Sequence, residues 1–541
     1  MKLRMPDMIR IYGEDWSKDI TCQNREEKSF CFDHKDVNVK LEIKDEIKVY
    51  VKAETTPLTY LRLRFNFTET EKRKENIKIM GDAFERGYGE LEWFGIKPER
   101  MFPWYILVSN GTDSDLNYKG RFTEGFGIKT LPNSFAAWQY DAAGITLWID
   151  IRNGGKGVHL NGRELLACEV VFGEFYDMSA FFAGKEFCKM MCASPVLPKH
   201  KVYGSNNWYY AYGKSSHEEI LSDTKLVAEA CSGLENIPYM VIDDGWQKNK
   251  TDAPWDKLNE RFHDMKELAS EMSKMGVRPG IWVRYLVDSK FEVKEKDSQW
   301  RYKHDSRYFD PSHPEVIEYV KRITKMFVDW GYKLIKHDFT AGDIFGPPMS
   351  NERVTKNNWC FYDKTKTSAE ITYNLYKAIK DAAGDDCIII GCNSISHLCA
   401  GIYELNRTGM DTSGERFEYT RQMGVNTLAF RLMQNGTFYM ADADCVGIMG
   451  PIPWKLNREW LKALAYSGSP LFISCKPGIL NDEEFNELKE AYKVNSIQEN
   501  ELFPLDWMEN LCPERWMLDG KEIRFNWYDN NGPEYFNPFE N

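Results

Sequence analysis

Between Lys333 and Thr340 the chain reads Lys-Leu-Ile-Lys-His-Asp-Phe-Thr, an apolar run that closes on a lysine, a histidine and an aspartate. If Leu334 and Ile335 lie in a buried parallel strand, Lys336 and Asp338 follow on one side of it, because side chains alternate faces with a period of two. The same alternation turns His337 to the other face. A cation beside a carboxylate keeps the carboxylate ionised and able to attack, and in a parallel α/β barrel the carboxyl ends of the strands form the face where chemistry is done. Asp338 therefore reads as a nucleophile. Taken alone, the octapeptide is equally well a salt bridge that ends a strand.

Two further acidic stretches change that balance. Arg407-Thr-Gly-Met-Asp411 closes another strand-like segment and supplies a second carboxylate, with Arg407 near enough to orient it. Two carboxyl groups on opposite sides of one site are what glycosyl transfer to water requires: one attacks the anomeric carbon while the other protonates the leaving oxygen. Val-Ile-Asp243-Asp244-Gly-Trp-Gln ends a third strand, where a Gly-Trp turn can swing both aspartates into one mouth as acceptors for hydroxyl groups. A metal site and an N-cap pair are the competing readings, but a metal needs further ligands such as histidine or glutamate at matching strand ends.

These residues need elements to carry them. The chain has 541 residues, which implies several domains, and its 43% hydrophobic and 14% aromatic content suffices for packed cores. Its 17 Trp and 28 Tyr also offer flat amphipathic faces suited to sugars. A formal net charge of -12 argues against nucleic acid and anionic membranes as partners and favours a neutral substrate. Thirteen cysteines without a CxxC pair read as thiols of a reducing compartment. With no apolar leader at the N-terminus and no apolar run of membrane length, a cytoplasmic protein is expected. A homo-oligomer is left open.

From Val37 to Phe172 the hydrophobic pattern has period two, as in Val39, Leu41 and Ile43 or Leu61, Leu63 and Phe65, broken by turn signals such as Asn110-Gly111; this predicts an antiparallel sandwich. Within it, Gly81-Asp-Ala-Phe-Glu-Arg-Gly-Tyr-Gly-Glu-Leu-Glu-Trp93 is too glycine-rich and charged for a strand and reads as a long loop able to reach another domain. Pro195 and Pro198 bracket a linker. Beyond it, eight strand candidates (206–212, 239–246, 278–285, 333–339, 387–393, 404–411, 438–444 and 470–475) alternate with helical patterns, which is the count of a (β/α)8 barrel. The helix from Pro314 to Trp330 has a clear apolar face and a capped start at Ser312 with Glu315; another spans Tyr419 to Met433. The expected division is a sandwich over 1–195, a barrel over 196–496 and a small β region over 497–541.

The ordered set Asn-Asn-Trp208-Tyr-Tyr, Asp243-Asp244-Gly-Trp, Gly-Ile-Trp282, Lys336-His-Asp338, Gly391-Cys392 and Arg407-Thr-Gly-Met-Asp411 resembles the α-galactosidase (melibiase) clan, glycoside hydrolase family 36 more than family 27. The resemblance implies an N-terminal β-supersandwich and a retaining exo-hydrolase that needs no cofactor or metal and acts on terminal α-galactosides. In it Asp338 would be the nucleophile and Asp411 the acid/base. Asp243 and Asp244 would bind the 4- and 6-hydroxyls, Lys336 and Arg407 would hold ring hydroxyls, and Trp208 and Trp282 would wall the pocket. By analogy Trp93 would close it. After Gly391-Cys392 the chain departs from the family's glycine-rich pattern, in a region that helps recognise the 2-substituent. An α-N-acetylgalactosaminidase, a β-L-arabinopyranosidase and a transglycosidase therefore stand beside the α-galactosidase, with a non-catalytic carbohydrate-binding barrel as the reading from another class. Retention carries a geometric expectation of carboxyl groups about 5–5.5 Å apart.

Overall fold

The computed structural model of the protein describes residues 1–21, 29–71, 76–295, 298–346, 358–497 and 501–533. The period-two segments form two antiparallel sheets, one of six strands and one of seven. In Val37–Ile43 and Ile47–Ala53 buried residues alternate with half-buried ones, and the register pairs Val39 with Val51 and Leu63 with Leu147, so the apolar sets of neighbouring strands fall on one face. Trp138 of one sheet packs against Phe126 and Phe172 of the other in the core between them.

The second sheet type is parallel, with nine strands. In order, barrel strands one to six are Tyr203–Asn206, Tyr239–Ile242, Arg278–Val283, Leu334–His337, Ile388–Gly391 and Leu405–Arg407, and strand eight is Leu471–Cys475. Strand seven is split. Met440–Asp442 pairs with strand six, whereas Cys445–Ile448 pairs with strand eight, so the two edges of the sheet are joined through Ala443 and Asp444 and the barrel closes there. Asp444 makes the break with a left-handed backbone, φ 70°. Three short antiparallel strands, Leu502–Pro504, Arg515–Leu518 and Lys521–Arg524, follow the barrel.

Several expectations shift in detail. Strand one ends at Asn206 instead of running to Tyr212, because the Asn206 side chain turns back to accept the Trp208 N–H at 2.8 Å and starts a helical turn, Trp208–Ala211. The helix cap at 314–330 is His313, whose Nδ1 accepts the Glu315 N–H at 3.3 Å; Ser312 instead accepts the Asp363 N–H. The helix expected over Tyr419 to Met433 contains a π segment, Thr420–Asn426. At its end the Asn426 amide is aimed inward, donating to the carbonyls of Leu91 (2.8 Å) and Leu511 (2.7 Å). The described cysteines are all free thiols, buried except for Cys31 and Cys360. Among the described residues no helix is long and apolar enough to cross a membrane.

The glycine-rich loop reaches the barrel. Gly87 donates to Thr408 and accepts from Met410 along the main chain, at 2.8 and 2.9 Å. Its anchor is Arg431, 1% exposed, which bonds Asp82 (2.7 Å) and the carbonyls of Thr408, Ala83 and Glu85. Removing one partner from a buried pair strands a charge. Asp82→Ala is accordingly expected to lower stability by about 3 kcal/mol, measured by urea unfolding; a loss under about 0.5 kcal/mol, the range of a neutral surface change, would show that Asp82 does not anchor the loop.

Candidate active site

Strand four carries Lys336 and delivers Asp338 one residue beyond its end, at the barrel's carboxyl face. Lys336 Nζ does not touch Asp338; it donates to Asp243 Oδ2 at 2.6 Å, an oxygen that also accepts from Asn206 Nδ2 at 2.6 Å. Asp243 thus ties together strands one, two and four. Its neighbour Asp244 accepts from Gln247 Nε2 (2.7 Å) and the Thr251 N–H (2.9 Å) on Oδ1, while its buried Oδ2 has no partner among the described residues. Burial pushes the Asp244 carboxyl up to about 6, against the bonds from Gln247 and Thr251.

Asp338 accepts two hydrogen bonds, from Trp282 Nε1 at 3.1 Å and from the Phe339 N–H at 2.7 Å. The second depends on a left-handed backbone at Phe339, φ 61°, which costs a non-glycine residue on the order of 1–3 kcal/mol and is the kind of strain held at functional sites. Burial alone would raise the Asp338 carboxyl, but Arg86, then Lys336, and the two hydrogen bonds hold it below its ordinary value. Trp282 is 1% exposed, so it offers Asp338 its N–H and keeps its faces packed among side chains. Trp208 is half-buried, with the Tyr212 ring edge-on at 5.5 Å.

Asp411 follows strand six and keeps 41% of its side-chain surface open. Its Oδ1 lies 3.2 Å from Arg407 Nη2 and 3.8 Å from Arg86 Nη1. Burial raises the Asp411 carboxyl; Arg407 opposes the rise, Asp444 adds to it, and Arg86 and Lys336 oppose it more weakly. The leading carboxylate that raises Asp411 is Asp444. Arg407 is 1% exposed and also donates through Nη1 to the Cys392 sulfur at 3.3 Å. Burial raises the Cys392 thiol, so the sulfur is a neutral partner.

The structure brings Asp338, Asp411, Asp243, Asp244, Lys336, Arg407 and Cys392 to one end of the barrel, with Arg86 and Lys336 acting on both Asp338 and Asp411. Trp93 is placed elsewhere. It is buried edge-on against Trp507 at 5.2 Å, because the loop folds its apolar end onto the C-terminal segment. The residue the loop sends to the site is Arg86, which the sequence reading passed over although it stands mid-loop between glycines. Asp444 was also missed, since Ala-Asp-Ala-Asp-Cys gives no sign of where strand seven breaks.

No family model matches the chain. Sandwich, barrel and short C-terminal sheet together make the fold of the glycoside hydrolase family 36 α-galactosidases, which the chain resembles at low identity. TtGalA, an α-galactosidase from Thermus thermophilus solved with p-nitrophenyl α-D-galactopyranoside, superposes with a TM-score of 0.59 at 15% identity, over 92% of this chain and 98% of that one. AgaA from Geobacillus stearothermophilus, solved with 1-deoxygalactonojirimycin, gives 0.61 at 14% identity, over 95% and 79%. The galactosidase domain of AgaSK gives 0.59 at 16%, over 89% and 70%.

Arg86 is the leading cation on Asp338. Arg86→Met should raise the Asp338 pKa by about one unit, followed by carbon NMR of 13C-aspartate protein with the resonance assigned by its loss in Asp338→Asn. An unmoved titration would remove Arg86 from the site's electrostatics.

Proposed function

We propose that the protein is a retaining exo-acting glycoside hydrolase that releases terminal α-galactosyl residues. The observation that carries this is the opposite displacement of two carboxyls at one barrel mouth: Asp338 held ionised and Asp411 held towards its protonated form. In the first half-reaction Asp338 attacks the anomeric carbon while Asp411 gives its proton to the glycosidic oxygen, which leaves as the alcohol. In the second, Asp411, now ionised, takes a proton from water, whose oxygen attacks the same carbon and frees Asp338. Two inversions return the α-anomer. Supporting galactose are the buried acceptor Oδ2 of Asp244 and the Asp243–Lys336 pair beside it. The two neighbours solved with galactose-configured ligands, TtGalA and AgaA, support it as well.

Specificity is tested with aryl α- and β-glycosides carrying galactosyl, N-acetylgalactosaminyl, glucosyl and arabinosyl groups, with proton NMR of the first sugar formed. The expected result is a preference for the α-galactoside and release of α-galactose. Release of β-galactose would refute retention, a preference for another glycone would move the assignment to that sugar, and new glycosides formed with added alcohol acceptors at the expense of free sugar would mark a transglycosidase.

Replacement of the two aspartates separates their roles. Asp338→Asn should lower turnover about 10⁴-fold or more on every substrate. Asp411→Ala should cost about 10²–10⁴-fold on raffinose-type substrates but much less on aryl galactosides, whose leaving groups need no proton. Equal losses on both would show that Asp411 is not the acid. The wild-type kcat/KM should rise with pH as Asp338 ionises, below the ordinary carboxylate value, and fall as Asp411 loses its proton above it.

A further inference from the structure

Asp444 is 4% exposed and lies at the break in strand seven. Its Oδ2 is ion-paired with Arg407 Nη2 at 2.8 Å and accepts hydrogen bonds from the Thr412 N–H at 2.8 Å, Thr412 Oγ1 at 3.1 Å and the Tyr209 hydroxyl. Asp411 accepts from the same guanidinium nitrogen at 3.2 Å and, among the described residues, otherwise has only Arg86 at 3.8 Å. One nitrogen thus serves two carboxyls of very unequal surroundings.

When two carboxyls share one site, repulsion makes them ionise in sequence, and the better-solvated one goes first. Donors stand in for solvent here, and Asp444 has more of them. We propose that Asp444 is the positioning residue that makes Asp411 the proton donor, by occupying the ionised place beside Arg407 and leaving the carboxyl with fewer donors to carry the proton. The inference rests on the proposed role of Asp411 and deepens it.

The charges around the pair come from every side of the barrel. Lys336 of strand four and Arg407 of strand six oppose the negative charge of Asp444. Tyr209 faces it from the turn after strand one, and Asp442 and Cys445 flank it on its own strand. Arg407, Arg86 and Lys336 face Asp411, with Asp444 the neighbouring carboxylate that acts against them. Asp444 is lowered even though burial works to raise it, because Arg407, Lys336 and the bonds from Tyr209 and Thr412 outweigh burial. The backbone agrees with a dedicated role. A φ of 70° is rare for a side-chain-bearing residue and turns Asp444 out of the strand's register.

Asp444→Asn keeps the shape of the side chain and removes its charge, and Asn tolerates left-handed backbone. Asp444→Gly is the second variant, since glycine adopts φ 70° without strain. Carbon NMR of 13C-aspartate protein reads the Asp411 carboxyl directly, assigned by the resonance lost in Asp411→Asn, and needs no substrate. In both variants the Asp411 pKa should fall by about one unit, and where the aryl α-galactoside is turned over the alkaline limb of kcat/KM should move to lower pH by the same amount. An Asp411 titration unchanged in either folded variant would overturn the proposal. Absence of glycosidase activity with the NMR shift present would uphold the hold of Asp444 on the Asp411 proton and refute the catalytic role of Asp411 instead.

Discussion

Arg407 places one nitrogen between two carboxyls, 2.8 Å from Asp444 and 3.2 Å from Asp411, in a barrel that buries the arginine almost completely. A buried charge is tolerated only when it is paired and hydrogen-bonded. Around the mouth, Arg86, Lys336 and Arg407 face Asp243, Asp338, Asp411, Asp442 and Asp444. Carboxyls outnumber cations, so the surplus is most cheaply accommodated as protonated acid. The donors decide which groups those are. Asp338 and Asp444 gather cations and N–H groups, whereas Asp411 and Asp442 are raised. A lowered carboxyl and a raised one emerge from one electrostatic balance.

The fold maintains that balance from two sides. Strands one, two and four are tied at Asp243, and strands six and seven at Arg407. The N-terminal sandwich contributes the third cation through a loop fixed by Arg431, which also accounts for a charged, glycine-rich segment inside a domain of otherwise regular strands. A barrel alone would lack Arg86. The strained turn at Phe339 fits the same account, because it trades backbone energy for an N–H aimed at Asp338 Oδ1.

Much of this could be read from residue order. Period-two alternation identified the sandwich, and strand ends closing on Lys-His-Asp and Arg-Thr-Gly-Met-Asp identified the mouth, because a buried strand leaves its polar residues at its carboxyl end. The helix with a clear apolar face, Pro314–Trp330, fell where its pattern put it. What was hidden depended on tertiary contact. Trp93 sat next to a loop that reaches the site, but its partner, Trp507, is supplied by the far end of the chain. Lys336 was read as the partner of Asp338 by alternation, yet a closer acceptor on strand two took it. Asp444 became visible only once strand seven was seen to bend.

The central claim is that one of these carboxyls, Asp338, becomes covalently bonded to the sugar. It is tested most directly by incubating the protein with 5-fluoro-α-galactosyl fluoride, which slows release of the enzyme-bound sugar, and mapping the modified peptide by mass spectrometry. The account predicts one added fluorogalactosyl group, on the peptide carrying Asp338. A label on Asp411, or steady turnover of the reagent with no label accumulating at low pH or after rapid quenching, would contradict it.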